Sequence, residues 1–128
     1  MKLTERQEAW LQALESGKYK QGKKALRTKD DEFCCLGVAC ELAGIEAKLD
    51  VDNGYYAYSG ESLFLPIEVE DYYELRNLYG IFAYDLSYRI GDSEYHCLAE
   101  INDAGASFRE IAKFIRENPE KIFRSRDD

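Results

Sequence analysis

The stretch FCCLGVACELAG, residues 33–44, is apolar at almost every position and carries one acid, Glu41. A run of this kind, closed by Gly44, predicts a buried helix that ends at the glycine. The chain before it is of opposite character, and we call residues 18–29 the basic segment. Its six cations lie within twelve residues: Lys18, Lys20, Lys23, Lys24, Arg27 and Lys29.

Two further helices are predicted by their terminal residues. In TERQEAWLQALESG, residues 4–17, Thr4 and Gln7 stand three residues apart as a capping box does, and Gly17 is a natural end. SFREIAKFIRENP, residues 107–119, starts with the same pattern and ends at a proline. Both segments repeat apolar residues at helical spacing, so we expect each to pack one face on a core.

The middle of the chain predicts a mixture of elements. A third helix is expected from LPIEVEDYYELRNLYG, residues 65–80, and a fourth from SEYHCLAEINDAG, residues 93–105, with Ser93 as its cap. Residues 80–94 have aromatic and β-branched content typical of extended or loop structure. Asn53-Gly54 lies between KLDV, residues 48–51, and YYAYS, residues 55–59, and predicts a hairpin with a two-residue turn.

One more short strand is possible at KALRT, residues 24–28. The chain length of 128 residues fits one domain, residues 1–128, with residues 124–128 as a frayed tail. These elements together predict an α+β fold, dominated by helices, with a small antiparallel hairpin or sheet. No apolar run approaches the roughly 20 residues of a membrane span, and the charged start MKLTERQEAW does not resemble a signal peptide. We therefore expect a cytoplasmic protein without a membrane partner.

The charge is unevenly distributed. The formal net charge is −8, yet residues 1–27 carry seven cations against three acids, whereas residues 28–103 carry four cations against seventeen acids. Duplex nucleic acid is bound largely through its phosphates, so this acidic middle disfavours it as a partner. A basic segment on an acidic body suits a small anion better.

The candidate ligand contacts come from two places. Phosphates require cations or N–H donors, and bases require aromatic faces, which the basic segment supplies together with an Asn-Asp pair downstream. The residues are Tyr19, Lys20, Gln21, Lys23, Lys24, Arg27, Asn102 and Asp103. A second set of aromatic faces follows the predicted turn, at Tyr55, Tyr56 and Tyr58. A solvated loop and cross-strand packing are the structural alternatives for these two sets.

The four cysteines allow a different chemistry. Without an export signal they are expected to be reduced, and their spacing is a poor match to zinc sites, so we expect no metal and no cofactor. Cys34 or Cys35 at a helix start, with His96 later in the chain, is the arrangement of a cysteine hydrolase. No glycine-rich oxyanion loop accompanies them, and small buried cysteines are ordinary core residues.

The segment LAEINDAGASFREIAKFI, residues 98–115, resembles the first two helices of a helix-turn-helix. Arg109, Lys113 and Arg116 are expected on its exposed side. The third helix needed to read a major groove has no counterpart in the sequence, because Asn118-Pro119 follows at once. A packed helical hairpin is therefore the favoured interpretation.

Three patches in this order carry a resemblance: W-x3-L-x-SG-x-Y-x-Q at residues 10–21, FCCLGVACELAG at 33–44 and LAEINDAGASFREIAKFI at 98–115. Together they resemble a widespread group of small bacteriophage and prophage proteins. The resemblance implies an inhibitor of host immunity, most concretely a homo-oligomeric sponge that sequesters a cyclic or ADP-ribose-derived nucleotide without catalysis. Two alternatives remain open: an inhibitor that binds a host defence protein through its acidic surface, and a cysteine-dependent hydrolase.

Overall fold

A computed structural model describes residues 1–124. Its helices are α1 Glu5–Glu15, α2 Cys35–Leu42, α3 Ile67–Tyr73, α4 Leu98–Asp103, α5 Phe108–Glu117 and α6 Pro119–Ile122. Its strands are β1 Lys20–Gln21, β2 Glu32–Phe33, β3 Ala47–Asp50, β4 Tyr55–Tyr58, β5 Tyr88–Ile90 and β6 Ser93–Tyr95. Helices hold 37% of the residues and strands 20%, which confirms the prediction of a helix-dominated α+β fold.

Helices α1 and α5 begin where their capping boxes predicted. The Thr4 hydroxyl accepts from the Gln7 backbone N–H, and the Gln7 side chain accepts in return from the Thr4 N–H. Ser107 and Glu110 make the same reciprocal pair at the start of α5. Each capping box satisfies two backbone N–H groups that have no partner within the helix. Because the residues of each box are only three positions apart, the sequence predicts where these helices begin.

The core is built by helices around Trp10. Helix α1 packs between α5 and α2, and α2 also contacts α4. The Trp10 indole is fully buried, stacks near Tyr73 and Phe123, and donates its N–H to the Cys35 carbonyl at 3.0 Å. That hydrogen bond satisfies the one polar atom of the ring at the start of α2.

Three small two-stranded sheets lie around this core. β3 and β4 form the predicted hairpin, but Asp50 pairs with Tyr55, so four residues connect the strands instead of two. The longer connection arises because Gly54 donates its N–H back to the Asp50 carbonyl, and the Asn53 side chain accepts from the Tyr55 N–H. β1 and β2 pair in parallel, and residues 24–28 contribute isolated bridges only, at Arg27 and Thr28.

Two predicted helices are shorter in the structure than their patterns suggested. α3 ends at Tyr73 because Glu74 takes a left-handed conformation, with φ of 59°, so the apolar residues after it belong to the following loop. α4 begins at Leu98, after Cys97, and Ser93 is not its cap. Ser93 lies in β6, whose backbone pairs with β5 and is therefore not available for a helix.

The chain end described by the structure is tied to the core. Phe123 is fully buried, and Arg124 donates its backbone N–H to the Glu74 carbonyl at 2.7 Å. The predicted frayed tail therefore does not include Arg124, and residues 125–128 lie outside the described residues. Within residues 1–124, every helix is too short to cross a membrane.

Candidate functional site

The basic segment is anchored by its two apolar residues. Ala25 and Leu26 are buried, and the Leu26 backbone donates to Ser62 and accepts from Cys34. Gly22 lies against β2, where a Cβ atom would come 2.6 Å from that of Glu32. These contacts hold the loop against the body, and the cations between them are left on its outer side.

Gln21 and Asn102, two of the predicted ligand contacts, instead hydrogen-bond to each other inside the protein. We call this pair with its partners the Gln21–Asn102 junction. Gln21 Nε2 donates to Asn102 Oδ1 at 2.9 Å and to the Ala106 carbonyl, and its Oε1 accepts from the Phe108 N–H. Asn102 is fully buried, accepts also from the Cys35 N–H at 3.1 Å and donates to the Gly22 carbonyl at 2.8 Å.

The junction therefore has a structural role. It joins the basic segment to the start of α2, to α4 and to the turn before α5. Both oxygens and both amide groups are engaged by the protein, so neither side chain has a polar atom directed to a ligand. Asp103 has a related part, because its carboxylate accepts from the Lys24 N–H at 2.9 Å and supports that residue at a φ of 74°.

Arg27 is also occupied within the fold. Its guanidinium lies between two rings, 4.1 Å from the centroid of Tyr56 and 5.1 Å from that of Phe33. It donates two hydrogen bonds to the Asp31 carboxylate and lies 3.6 Å from Glu41. Arg27 thus connects the basic segment to the hairpin and has little charge left for a ligand.

The remaining basic residues fall into two groups. Lys20 pairs with Glu32 at 3.1 Å, and Tyr19 packs edge-on against Phe33 with Lys18 near its outer face. We call the others the free lysines, because no carboxylate within the described part of the chain lies within ion-pair distance of their side-chain ammonium groups. They are exposed: Lys18, Lys23, Lys24 and Lys29.

The tyrosines predicted as stacking faces lie beside Arg27, Thr28 and Lys29. Tyr56 donates its backbone N–H to Arg27, Thr28 bridges to Tyr55, and Lys29 donates its N–H to Gly54. Tyr55 and Tyr56 are half-buried, so parts of both rings are accessible. Tyr58 is fully buried and donates its hydroxyl to Glu41, so it belongs to the core and is not a stacking face.

The cysteines lie in the core. All four are buried, Cys34 precedes α2 and Cys35 opens it. Burial raises the pKa of the Cys34 thiol to about 11 and that of Cys35 well above its ordinary value. His96 is exposed before α4. Neutral thiols inside an apolar cluster lack the thiolate that a nucleophilic cysteine needs.

We expect all four thiols to be nearly inert to Ellman's reagent in the folded protein near pH 8. With a pKa of about 11, roughly one Cys34 thiol in a thousand is ionised at that pH, and burial blocks the reagent as well. After unfolding in guanidinium chloride, all four should react. A thiol that labels within seconds in the folded protein would contradict the core assignment and support a nucleophile.

In the helical hairpin of α4 and α5, one of the three candidate DNA contacts, Arg116, binds to α1 instead. Arg116 makes paired hydrogen bonds to Glu8 and Glu15, with distances from 2.7 to 2.9 Å. Its hydrogen bonds lower the pKa of both carboxyl groups. Among the described residues, the chain after α5 continues only into the short α6, whose Ile122 is buried, so no helix is presented as a recognition helix.

A groove of about 650 Å³ was not anticipated from the sequence. Arg6 lies 4.0 Å above the ring of Tyr72 there, and Arg124 pairs with Asp71 at 3.1 Å. Glu5 and Glu74 also line it. Arg6 and Tyr72 are far apart in the sequence, so no local pattern predicts that they are in contact. The mixed charge of the groove makes it less suited to an anion than the free lysines are.

Within residues 1–124, no group of three or more His, Cys, Asp or Glu side chains is placed to hold a metal ion. A family model described as a domain of unknown function, DUF8296, matches residues 1–119. No curated protein and no solved structure matches the chain.

Proposed function

The chain belongs to the DUF8296 family, and we propose that it binds and sequesters a small anionic ligand at the free lysines, without altering it. The most concrete form of the proposal is a phage sponge for a cyclic or ADP-ribose-derived nucleotide signal, which would block host immunity. The phage setting and the class of nucleotide come from the resemblance of the three sequence patches. The place of binding comes from charge and exposure.

The observation that carries the proposal is the unequal use of cations. Most arginines of the described residues are engaged by carboxylates, as at Arg27, Arg89 and Arg116. The free lysines stay without such partners although the chain has 25 acidic residues. Four unpaired cations on one anchored segment provide phosphate donors whose backbone is already ordered, which reduces the entropy lost on binding.

The aromatic neighbours extend this argument to nucleotides. Tyr55 and Tyr56 follow the hairpin turn. The Lys29 side chain lies against this turn, since its Cδ atom would be 4.0 Å from a Cβ atom added to Gly54. Stacking of a base on an accessible ring contributes roughly 1–3 kcal/mol. Lys29, one of the phosphate donors, is thus adjacent to these ring faces, and recognition of a nucleotide requires both kinds of group.

The absence of catalysis in the proposal is supported by the state of the thiols. The cysteines that could act as nucleophiles are buried, with raised pKa values, whereas the free lysines are on the surface. A ligand held at the lysines would not meet an activated nucleophile among the cysteines.

A second candidate is an inhibitor that binds a host defence protein directly. It is favoured by residues 28–103, which carry seventeen acids against four cations. A surface of that charge can imitate nucleic acid toward a basic partner and speed their association.

The deciding experiment is incubation of the protein with a panel of nucleotide signals, followed by filtration and heat denaturation. Depletion of one nucleotide and its recovery intact would support a sponge. Recovery of an altered product would contradict the proposal and indicate an enzyme. If no nucleotide is depleted, the sponge form is wrong and the acidic-surface inhibitor becomes the better account.

We expect Lys23→Gln with Lys24→Gln to weaken binding of the depleted nucleotide about 10-fold or more. Hydrogen bonds to charged groups contribute roughly 1.5–3 kcal/mol, and about 1.4 kcal/mol corresponds to tenfold in affinity. The matched control is Arg109→Gln with Lys113→Gln, which removes the same charge from the exposed side of α5. Isothermal titration calorimetry measures both. Equal affinities in the two double variants would exclude the free lysines as the site.

A further inference from the structure

The hairpin of β3 and β4 has one edge occupied and one open. On β4, Tyr56 donates its N–H to Arg27, and Tyr58 exchanges hydrogen bonds with Glu61. The backbone N–H and C=O groups of these two residues therefore point away from β3. In an antiparallel pair hydrogen bonding alternates, so Tyr55 and Ala57 are the residues that bond to β3.

The alternation determines which groups of β3 point outward. Tyr55 and Ala57 pair with Asp50 and Lys48, so the N–H and C=O groups of Leu49 face away from the hairpin. They have no hydrogen-bond partner among residues 1–124. The Leu49 side chain is 44% exposed, and that of Val51, just beyond the strand, is 82% exposed. An exposed edge of this kind is a template for another strand.

We propose that β3 is a contact between two copies of this chain, paired antiparallel about a two-fold axis at Leu49. The two hairpins then form one four-stranded sheet. This inference goes beyond the ligand proposal and does not depend on it.

The charges of β3 are self-complementary in this register. With Leu49 opposite Leu49 of the second copy, Lys48 lies opposite Asp50, and the symmetry makes the same pair twice. Leu49 exchanges both backbone hydrogen bonds with its counterpart. Lys48 and Asp50 then form pairs without hydrogen bonds, in which side chains approach most closely, at a Cα separation of about 4.5 Å. Opposite charges in such pairs stabilise a sheet, and like charges destabilise it.

The other two-fold registers are less favourable. An axis through a pair without hydrogen bonds would set Lys48 or Asp50 opposite its own copy, so like charges would face each other. An axis through a hydrogen-bonded pair could otherwise lie at Val51 or Ala47. Pairing about Val51 sets Asp50 opposite Asp52, and like charges then face each other. Pairing about Ala47 sets Lys48 opposite Glu46, which lies outside β3. Leu49 is the outward-facing residue whose two neighbours both lie in β3 and carry opposite charges.

The area of such a contact sets the expected strength. A ladder of about four residues per copy lies below the 1,200 Å² typical of stable interfaces, so we expect a concentration-dependent dimer with a micromolar dissociation constant. Analytical ultracentrifugation of the full chain between about 1 and 300 µM would measure it. A wild-type chain that stays monomeric throughout this range would overturn the proposal.

Charge exchange tests the register. Lys48→Asp and Asp50→Lys should each weaken the dimer at least about 10-fold, because each sets like charges opposite one another twice. The double variant, with both changes, restores opposite pairs and should recover wild-type association. Lys113→Asp, a matched change on α5, should have no effect. Single variants that associate as the wild type does, or a double variant that is as weak as the singles, would contradict the register.

A disulfide tests the axis. Residues in a hydrogen-bonded antiparallel pair have Cα atoms about 5.5 Å apart, which is within disulfide range. Since the native cysteines are buried, Leu49→Cys introduces an accessible thiol and should give covalent dimers on mild oxidation. Leu63→Cys, exposed elsewhere on the molecule, is the control. Equal cross-linking of the two variants, or none with Leu49→Cys, would place the contact elsewhere.

Discussion

Replacing Asn102 by alanine is expected to lower the free energy of unfolding by about 4 kcal/mol or more. The change leaves the buried Cys35 N–H and the Gly22 carbonyl without their partner. The Gln21 amide also loses one of its two hydrogen bonds and keeps the one to the Ala106 carbonyl. A buried polar group that loses its hydrogen bond costs roughly 1–3 kcal/mol. Since a domain of this size is stable by about 5–15 kcal/mol in total, the variant should lose a large fraction of its stability.

Urea unfolding followed by the fluorescence of Trp10 would measure the effect. The control is Asp103→Ala, the next residue, whose exposed carboxylate accepts from the Lys24 N–H and, at 3.4 Å, from the Asn102 side chain. It should cost about 1 kcal/mol. If Asn102→Ala costs no more than this control, the Gln21–Asn102 junction does not support the fold as described, and Asn102 returns as a candidate ligand contact.

Gly37→Ala is the second substitution with a large expected effect. In an exposed helix this change stabilises by about 1 kcal/mol, because alanine is the better helix former. In α2 we expect the opposite sign and a loss of about 3 kcal/mol or more. A Cβ atom on Gly37 would overlap the carbonyl oxygen of Leu26 and lie 2.6 Å from its carbonyl carbon. Forcing an atom into such a contact costs typically 1–3 kcal/mol and occasionally more.

The Leu26 backbone cannot easily move away. Its N–H donates to Ser62 at 2.8 Å and its carbonyl accepts from Cys34. The control is Gly44→Ala, which meets no atom within 4 Å and costs only the strain of a left-handed residue, about 1–2 kcal/mol. Thermal unfolding followed by circular dichroism compares the two. Equal losses of stability would show that the close approach of α2 to the basic segment is not a constraint.

The local elements of the fold could be read from the sequence. The starts of α1 and α5 are decided by side chains three residues apart, and the end of α2 by Gly44, which has a φ of 78°. Errors arose where a partner outside the segment intervened. The segment from Ser93 to Tyr95 carries a helical pattern but pairs with β5, and α3 stops at Glu74, after which Leu75 bridges to Phe123.

The candidate site divides in the same way. The sequence by itself determined that positive charge gathers in residues 18–29 on an acidic chain, because the identity of each residue sets the charge at its position. Only the tertiary structure decided which of those cations stay free. Arg27 meets Tyr56 and Glu41, and Gln21 meets Asn102, across separations of up to 81 residues. Buried polar groups must find partners wherever the packed chain brings them, and that pairing has no local signal in the sequence.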